Sequence, residues 1–206
     1  MTENDHKNDL LRYLQDAREA LVWKLDGLSE YDVRRPLTGT GTNLLGLVKH
    51  LTGVELGYLC DTFGRPHGEP LPDFEDGADP NADMFAAADE SRELIVERYR
   101  RAWALADATV RALPLDTSGT VPWWPAERAA ITLHHALVRT LSDTQRHAGH
   151  ADVLREGLDG TVGYRQDNDS LPSHDPAWWE ELRDRLERIA REAGPGAPQT
   201  GHESGT

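Results

Sequence analysis

One cysteine, Cys60, stands in 206 residues. That scarcity excludes an internal disulfide framework and any cysteine-based zinc cluster, and makes a cytoplasmic address the default expectation. No run of about 18 apolar residues occurs, so no transmembrane helix is expected. The opening stretch MTENDHKNDLLRYL is polar and partly acidic, without the basic start and apolar core of a signal peptide. Clustered basic charge is missing too: 22 Lys and Arg face 36 Asp and Glu, a formal charge of −14. Nucleic acid requires a clustered basic surface for its phosphates, and anionic membranes repel such a chain, so neither is expected as a partner. The short run Arg98-Tyr99-Arg100-Arg101 sits with Glu93 and Glu97, and reads as i,i+4 pairs on a helix surface. Strand signals are absent as well, since no stretch alternates apolar and polar residues for long enough.

What is present is helical periodicity. Hydrophobic residues make up 38% and charged residues 28%, an ordinary balance for a chain with one core. Leu10, Leu14, Ala17, Leu21, Leu25 and Leu28 recur at steps of three and four and predict a helix over about 5–28. After Pro36 and Thr38-Gly39-Thr40-Gly41, a second helix is predicted over 42–62. A Gly-, Pro- and Asp-rich loop from Phe63 to about Met84 follows, long enough to be a functional cover. A third helix over 89–113 ends at Pro114. A fourth is predicted over 126–158, with Pro125 at its start and Asp159-Gly160 at its end. Asp175-Pro176 opens a last helix bearing Trp178, Trp179, Leu182, Leu186 and Ile189, and 194–206 reads as a disordered tail. The expected fold is all-α: one domain over 1–193, a bundle of four long helices with long connections and an additional C-terminal helix.

The chemistry concentrates in SDTQRHAGHADVLRE, residues 142–156. Asp143 and His147 are i and i+4, so both leave one helix face about one turn apart and can share a divalent ion. Two ligands are too few, and His50, at the edge of the second helix's apolar stripe, is the candidate third. Gly46, Gly53 and Gly57 fall at −4, +3 and +7 from His50. Each costs a helix about 1 kcal/mol relative to alanine, which implies either close helix contact or space left for a ligand. The alternatives are ordinary ones: a hydrogen-bonded core histidine and a surface Asp–His ion pair.

Four segments carry a resemblance that covers the chain to about residue 190. They are TNLLGLVKHLTGVELGYLCDTFGRP (42–66), PNADMFAAADESRELIVERYRRAWALAD (80–107), VPWWPAERAAITL (121–133) and RHAGHADVLREGLDGTVG (146–163), with LP…DPAWW at 171–179. They resemble the actinobacterial branch of the DinB-like superfamily that includes mycothiol-dependent enzymes, the mycothiol transferases and maleylpyruvate isomerase-like proteins. The resemblance implies a four-helix bundle with a divalent metal, usually zinc or nickel, held by three side chains. His50 matches the ligand midway along the second helix and His147 the last position of the later (His or Glu)-x-x-x-His motif. Asp143 matches the first position, where the branch normally carries glutamate, so the carboxylate is one methylene shorter. Arg139 stands where relatives commonly have histidine. At eight residues before His147 it falls roughly 80° from the ligand direction, as a rim arginine or as a clamp for a substrate carboxylate.

The implied chemistry is transfer of a low-molecular-weight thiol such as mycothiol, as a metal-bound thiolate, to a small electrophile, or thiol-dependent isomerisation. Two alternatives stand beside it: a metalloenzyme using metal-activated water, and a non-catalytic ligand-binding or stress protein of the same fold. A homodimer is common among relatives. Of the remaining residues, His150 is placed roughly 60° aside of His147, as a neighbour that orients it or as a surface residue. Asp152 and Arg155 are expected to pair, and Trp123, Trp124, Trp178 and Trp179 to seal the core, with one of them at a pocket mouth. His134 and His135 point along other azimuths, and Cys60 lies off the His50 face.

Overall fold

Each helix begins where a short polar side chain can take up the backbone N–H groups that the first turn leaves without partners. In the computed structural model, which describes residues 2–69, 71 and 79–194, helix α1 spans Glu3–Trp23. Thr2 and Asp5 form a reciprocal capping box at its start. Ser29 caps the short α2 (Glu30–Arg34), Asn43 caps α3 (Leu44–Leu59) and Ser91 caps α4 (Arg92–Ala112). Thr132 caps α5 (Leu133–Asp159), which closes on Gly160 at φ 75°, and Asp175 caps α6 (Pro176–Ala193). Between α4 and α5 runs a small antiparallel hairpin of β1 (Ser118–Thr120) and β2 (Ala130–Thr132). No helix of the described residues is long and apolar enough to cross a membrane.

The expected all-α bundle forms, with two revisions at its joints. The fourth long helix starts at Leu133 rather than near residue 126, because 130–132 pair as a strand and Ala126–Arg128 make only a 3-10 turn. Gly119 in β1 lies so close to the Thr62 carbonyl and the Phe63 ring that a side chain there would collide with both. Strands of three residues carry too little alternation to be read from sequence. The first helix ends at Trp23, and Leu25 and Leu28 join the core from the turn beyond it. The expected tail, 194–206, lies outside the described residues beyond Gly194, as do residues 70 and 72–78 of the expected loop over 63–84.

The chain divides into two compact units, Met1–Asp169 and Ser170–Thr206. In the first, α3 packs on α4 and α5, and α1 packs on α5. One apolar layer gathers Leu21, Leu25, Leu44, Leu47, Leu51, Ile95 and Tyr99; the other gathers Leu11, Leu14, Tyr58, Leu59, Val110, Leu133 and Leu137. Along α1 and α3 the switch between layers falls on two charged residues, Arg18 and Glu55, both fully buried. Arg18 donates through Nε to Glu55 Oε1 at 2.8 Å and through Nη2 to Oε2 at 2.5 Å, a bidentate pair, while Nη1 reaches Asp107 of α4 at 2.9 Å. The second unit holds α6, none of whose residues is buried. Trp178 and Trp179 there meet edge to face at 4.6 Å rather than sealing a core.

Arg155 does not pair with Asp152. It binds Asp159 at 2.9 Å and donates to the Lys24 and Asp26 carbonyls, closing the end of α1, while Asp152 pairs with Lys24 at 3.1 Å. The better partner for each was one turn, or one helix, away. The Arg98–Arg101 stretch likewise keeps one i,i+4 pair, Arg101 with Glu97, and turns otherwise to Glu69 and Glu90.

Removing Glu55 leaves the buried Arg18 with Asp107 alone to offset its charge. Glu55→Ala is expected to destabilise the bundle by about 3–5 kcal/mol, whereas the double change Arg18→Met with Glu55→Leu returns near wild-type stability. Urea unfolding of the three proteins checks this; equal losses in the single and double variants would contradict it.

Candidate metal centre

His50 and the pair Asp143 and His147 come from α3 and α5, which pack directly against each other. Asp143 and His147 share a face of α5 by their i,i+4 spacing, and His50 meets that face from the opposite helix. Asp143 Oδ1 lies 3.5 Å from His147 Nε2, and Asp143 Oδ2 lies 3.9 Å from His50 Nε2. The two imidazole rings stand edge to face, 4.9 Å between centres. One donor atom from each of the three residues lies within 4.8 Å of the others. For comparison, ligands about 2.1 Å from a tetrahedral ion are separated by roughly 3.4 Å, so a contraction of well under an ångström per atom would let all three meet one ion.

A fourth residue completes the arrangement, one that no helical periodicity points to. Asp83, from the loop before α4, sets Oδ2 2.7 Å from His50 Nδ1. An ionised carboxylate only accepts, so Nδ1 donates to Asp83, and Nε2 faces Asp143. The hydrogen bond to His50 keeps the Asp83 carboxyl below its usual range. The loop is pinned on both sides of this contact. Met84's carbonyl accepts from Asn43 Nδ2 at 3.2 Å, and Lys49 donates to the Phe85 carbonyl and binds Glu90 at 2.7 Å. His147 has its own neighbour: its Nδ1 lies 3.3 Å from Nδ1 of exposed His150. Burial, followed by the proximity of His50, pushes the His147 imidazole down to about 4, so it is neutral near pH 7.

The three glycines around His50 serve two ends. A Cβ on Gly46 would strike the Met84 carbonyl, so Gly46 lets the Asp83 loop approach α3. A Cβ on Gly57 would stand 2.6 Å from the Trp123 ring, whereas one on Gly53 would meet nothing within 4 Å. Gly53 therefore faces open space, and that space is a cavity of about 560 Å³ whose wall includes His50, Asp83 and Asp143. Tyr58, Trp123 and Arg139 complete the side nearer the hairpin. Trp123 is 52% exposed, a rim residue rather than a core seal, while Trp124 packs partly buried on the second apolar layer. Arg139 lies over the rings of Tyr58 and Trp124, at 5.0 and 5.1 Å.

The other candidates fall away as expected. His134 and His135 are exposed and outside the trio. Cys60 is buried, its thiol raised by burial, with Thr109 Oγ1 at 3.9 Å from its sulfur. The two helical glycines that line the cavity make opposite predictions. Gly57→Ala displaces the Trp123 indole and changes its fluorescence, an effect lost in a Trp123→Phe background, whereas Gly53→Ala leaves the emission as it is.

Comparison with curated proteins gives no match. A family model described as mycothiol-S-transferase matches residues 9–160, from within α1 to the end of α5, and takes in His50, Asp83, Asp143 and His147. The match covers well over half of the sequence and ends with the helix that supplies two of the three donor residues. This chain belongs to the mycothiol-S-transferase family, within the DinB-like superfamily of helical bundles.

Proposed function

We propose that the protein is a metal-dependent S-transferase that joins mycothiol to a small electrophile. One observation carries the reading: two imidazoles and a carboxylate, from facing helices, converge to within 4.8 Å beside a cavity of about 560 Å³. The donor set, two nitrogens and one oxygen, suits zinc or nickel. Three protein ligands leave a position open for a substrate group, as catalytic sites do and structural sites do not. A divalent ion held there lowers the pKa of a coordinated thiol, so that its sulfur is a thiolate near neutral pH.

The chain's own residues have separable parts in this reading. His50 and His147 offer Nε2, and Asp143 a carboxylate oxygen. Asp83 fixes the tautomer and orientation of His50, the carboxylate–histidine arrangement that accompanies metal-binding imidazoles. His147 is neutral without needing to lose a proton, because its burial has already depressed its pKa. Tyr58 and Trp123 give the cavity an aromatic side that can cover an apolar electrophile.

Elemental analysis of the purified protein tests the centre. About one equivalent of zinc or nickel is expected in the wild type, and little in His50→Ala, Asp143→Ala or His147→Ala. Asp83→Ala is expected to keep the site but with roughly 10–100-fold weaker metal affinity, read by competition with a chelating dye. Mycothiol consumption in the presence of an alkyl halide should follow metal content across the series. Wild-type protein free of metal, or variants that retain it fully, would sink the reading.

A further inference from the structure

Three aspartates stand in the cavity wall, Asp61, Asp83 and Asp143. Each has a histidine partner: His67 lies 3.1 Å from Asp61, His50 lies 2.7 Å from Asp83, and His147 lies 3.5 Å from Asp143. Arg139 is the one Lys or Arg in the same wall, and it has no carboxylate partner among the described residues. The spacing makes that surprising. Arg139 precedes Asp143 by one turn, the separation at which helical ion pairs form. Farther along the same helix Arg155 and Asp159, at the same spacing, do pair at 2.9 Å.

The guanidinium is diverted by two aromatic rings. Its central carbon lies 5.0 Å from the Tyr58 ring centre and 5.1 Å from that of Trp124. Contact with ring faces holds a planar cation without consuming its N–H groups, since the attraction is to the π-cloud. Five donors in a rigid fork are thereby kept at the cavity wall, in an orientation that no carboxylate of the described residues claims. Holding the side chain in place beforehand also reduces the rotamer entropy lost when a ligand binds.

We propose that Arg139 is a specificity-determining residue that pairs with a carboxylate of the electrophilic co-substrate. The proposal rests on the S-transferase reading for the identity of that co-substrate as the electrophile. Arg139 and Asp143 are one turn apart, about 6 Å along the helix. The co-substrate class is therefore a small organic acid whose reactive carbon sits several bonds from its carboxylate, so that one end meets the arginine while the other reaches the His50–Asp143 end of the cavity. A divalent ion held by His50, Asp143 and His147 would offset two of the three aspartate charges.

Two measurements on the purified full-length protein, its metal content determined, decide the matter. In the first, benzoate and benzamide, equal in shape but not in charge, are titrated by calorimetry. Wild type is expected to favour benzoate. Arg139→Met, which keeps bulk against the two rings, is expected to weaken benzoate about ten-fold or more, as for a charge-assisted hydrogen bond removed, and to leave benzamide unchanged. Arg139→Lys, with the charge but not the fork, should recover part of the preference. No preference in wild type, or one that survives in Arg139→Met because the anion binds the metal, overturns the proposal.

The second measurement is turnover of mycothiol with 4-(bromomethyl)benzoate and with its methyl ester. Sulfur bonds to the benzylic carbon as bromide leaves, and the thiol proton passes to solvent. In Arg139→Met the KM for the acid should rise roughly ten-fold while that for the ester follows wild type. A rise in the KM for mycothiol instead would assign Arg139 to the thiol and overturn the proposal. If neither electrophile reacts with any variant, the transferase reading has failed, and the benzoate titration still decides whether Arg139 is an anion clamp.

Discussion

A guanidinium without access to water fixes how three helices meet. Arg18 of α1 takes Glu55 of α3 in a two-pronged hydrogen bond and Asp107 of α4 in a third. Each of these bonds is directional, and in a low-dielectric interior an unmade one is costly. Apolar contacts alone tolerate a helix sliding or rotating by part of a turn; a forked ion pair does not. The rotation of α3 set by Glu55 is the rotation that points His50, five residues earlier, at α5. The precision of the candidate metal centre is thus inherited from a charge cluster that lies outside it.

Much of this was legible from residue spacing, because spacing on a helix is geometry. The apolar steps of three and four gave the four long helices, and the i,i+4 relation placed Asp143 and His147 on one face. His50 could be named because its offset from Leu47 and Leu51 put it at the margin of the apolar stripe. Arg18 and Glu55 stand in that same kind of stripe, at i+4 from Leu14 and Leu51, and an apolar-periodicity reading passes over them. A charged residue at a core position is itself the signal for a buried partner, but nothing in the sequence says which of the other acids it meets.

Asp83 was out of reach for a different reason. A loop has no period, so one aspartate among several carries no azimuth, and the contact with His50 spans 33 positions. Only the glycine at position 46 hinted that something approaches α3 from outside. The structure separates the two explanations a glycine allows. Gly46 and Gly57 are gaps filled by a backbone carbonyl and an indole, and Gly53 is a gap left open. Size suggests burial for tryptophans, and Trp124 does pack on a core layer; Trp123 takes the pocket-mouth place expected for one of the four, and no residue of α6 is buried. Local competition likewise decided the ion pairs: Arg155 had both Asp152 and Asp159 within helical reach and took the one that also let it cap α1.

Arg139 and Asp143 stand one turn apart on α5 without pairing. A pair between them would be ordinary at that spacing, as Arg155 and Asp159 show at 2.9 Å on the same helix. The metal centre and the arginine would then compete for one acid. Instead the two Asp143 oxygens stay divided between His147 and His50, at 3.5 and 3.9 Å, and the arginine is left to the aromatic rings. The aromatic rings thus keep the arginine apart from the acid one turn away. The proposed anion site and the candidate metal centre both depend on that separation, since each needs a group that an ion pair between the two residues would consume.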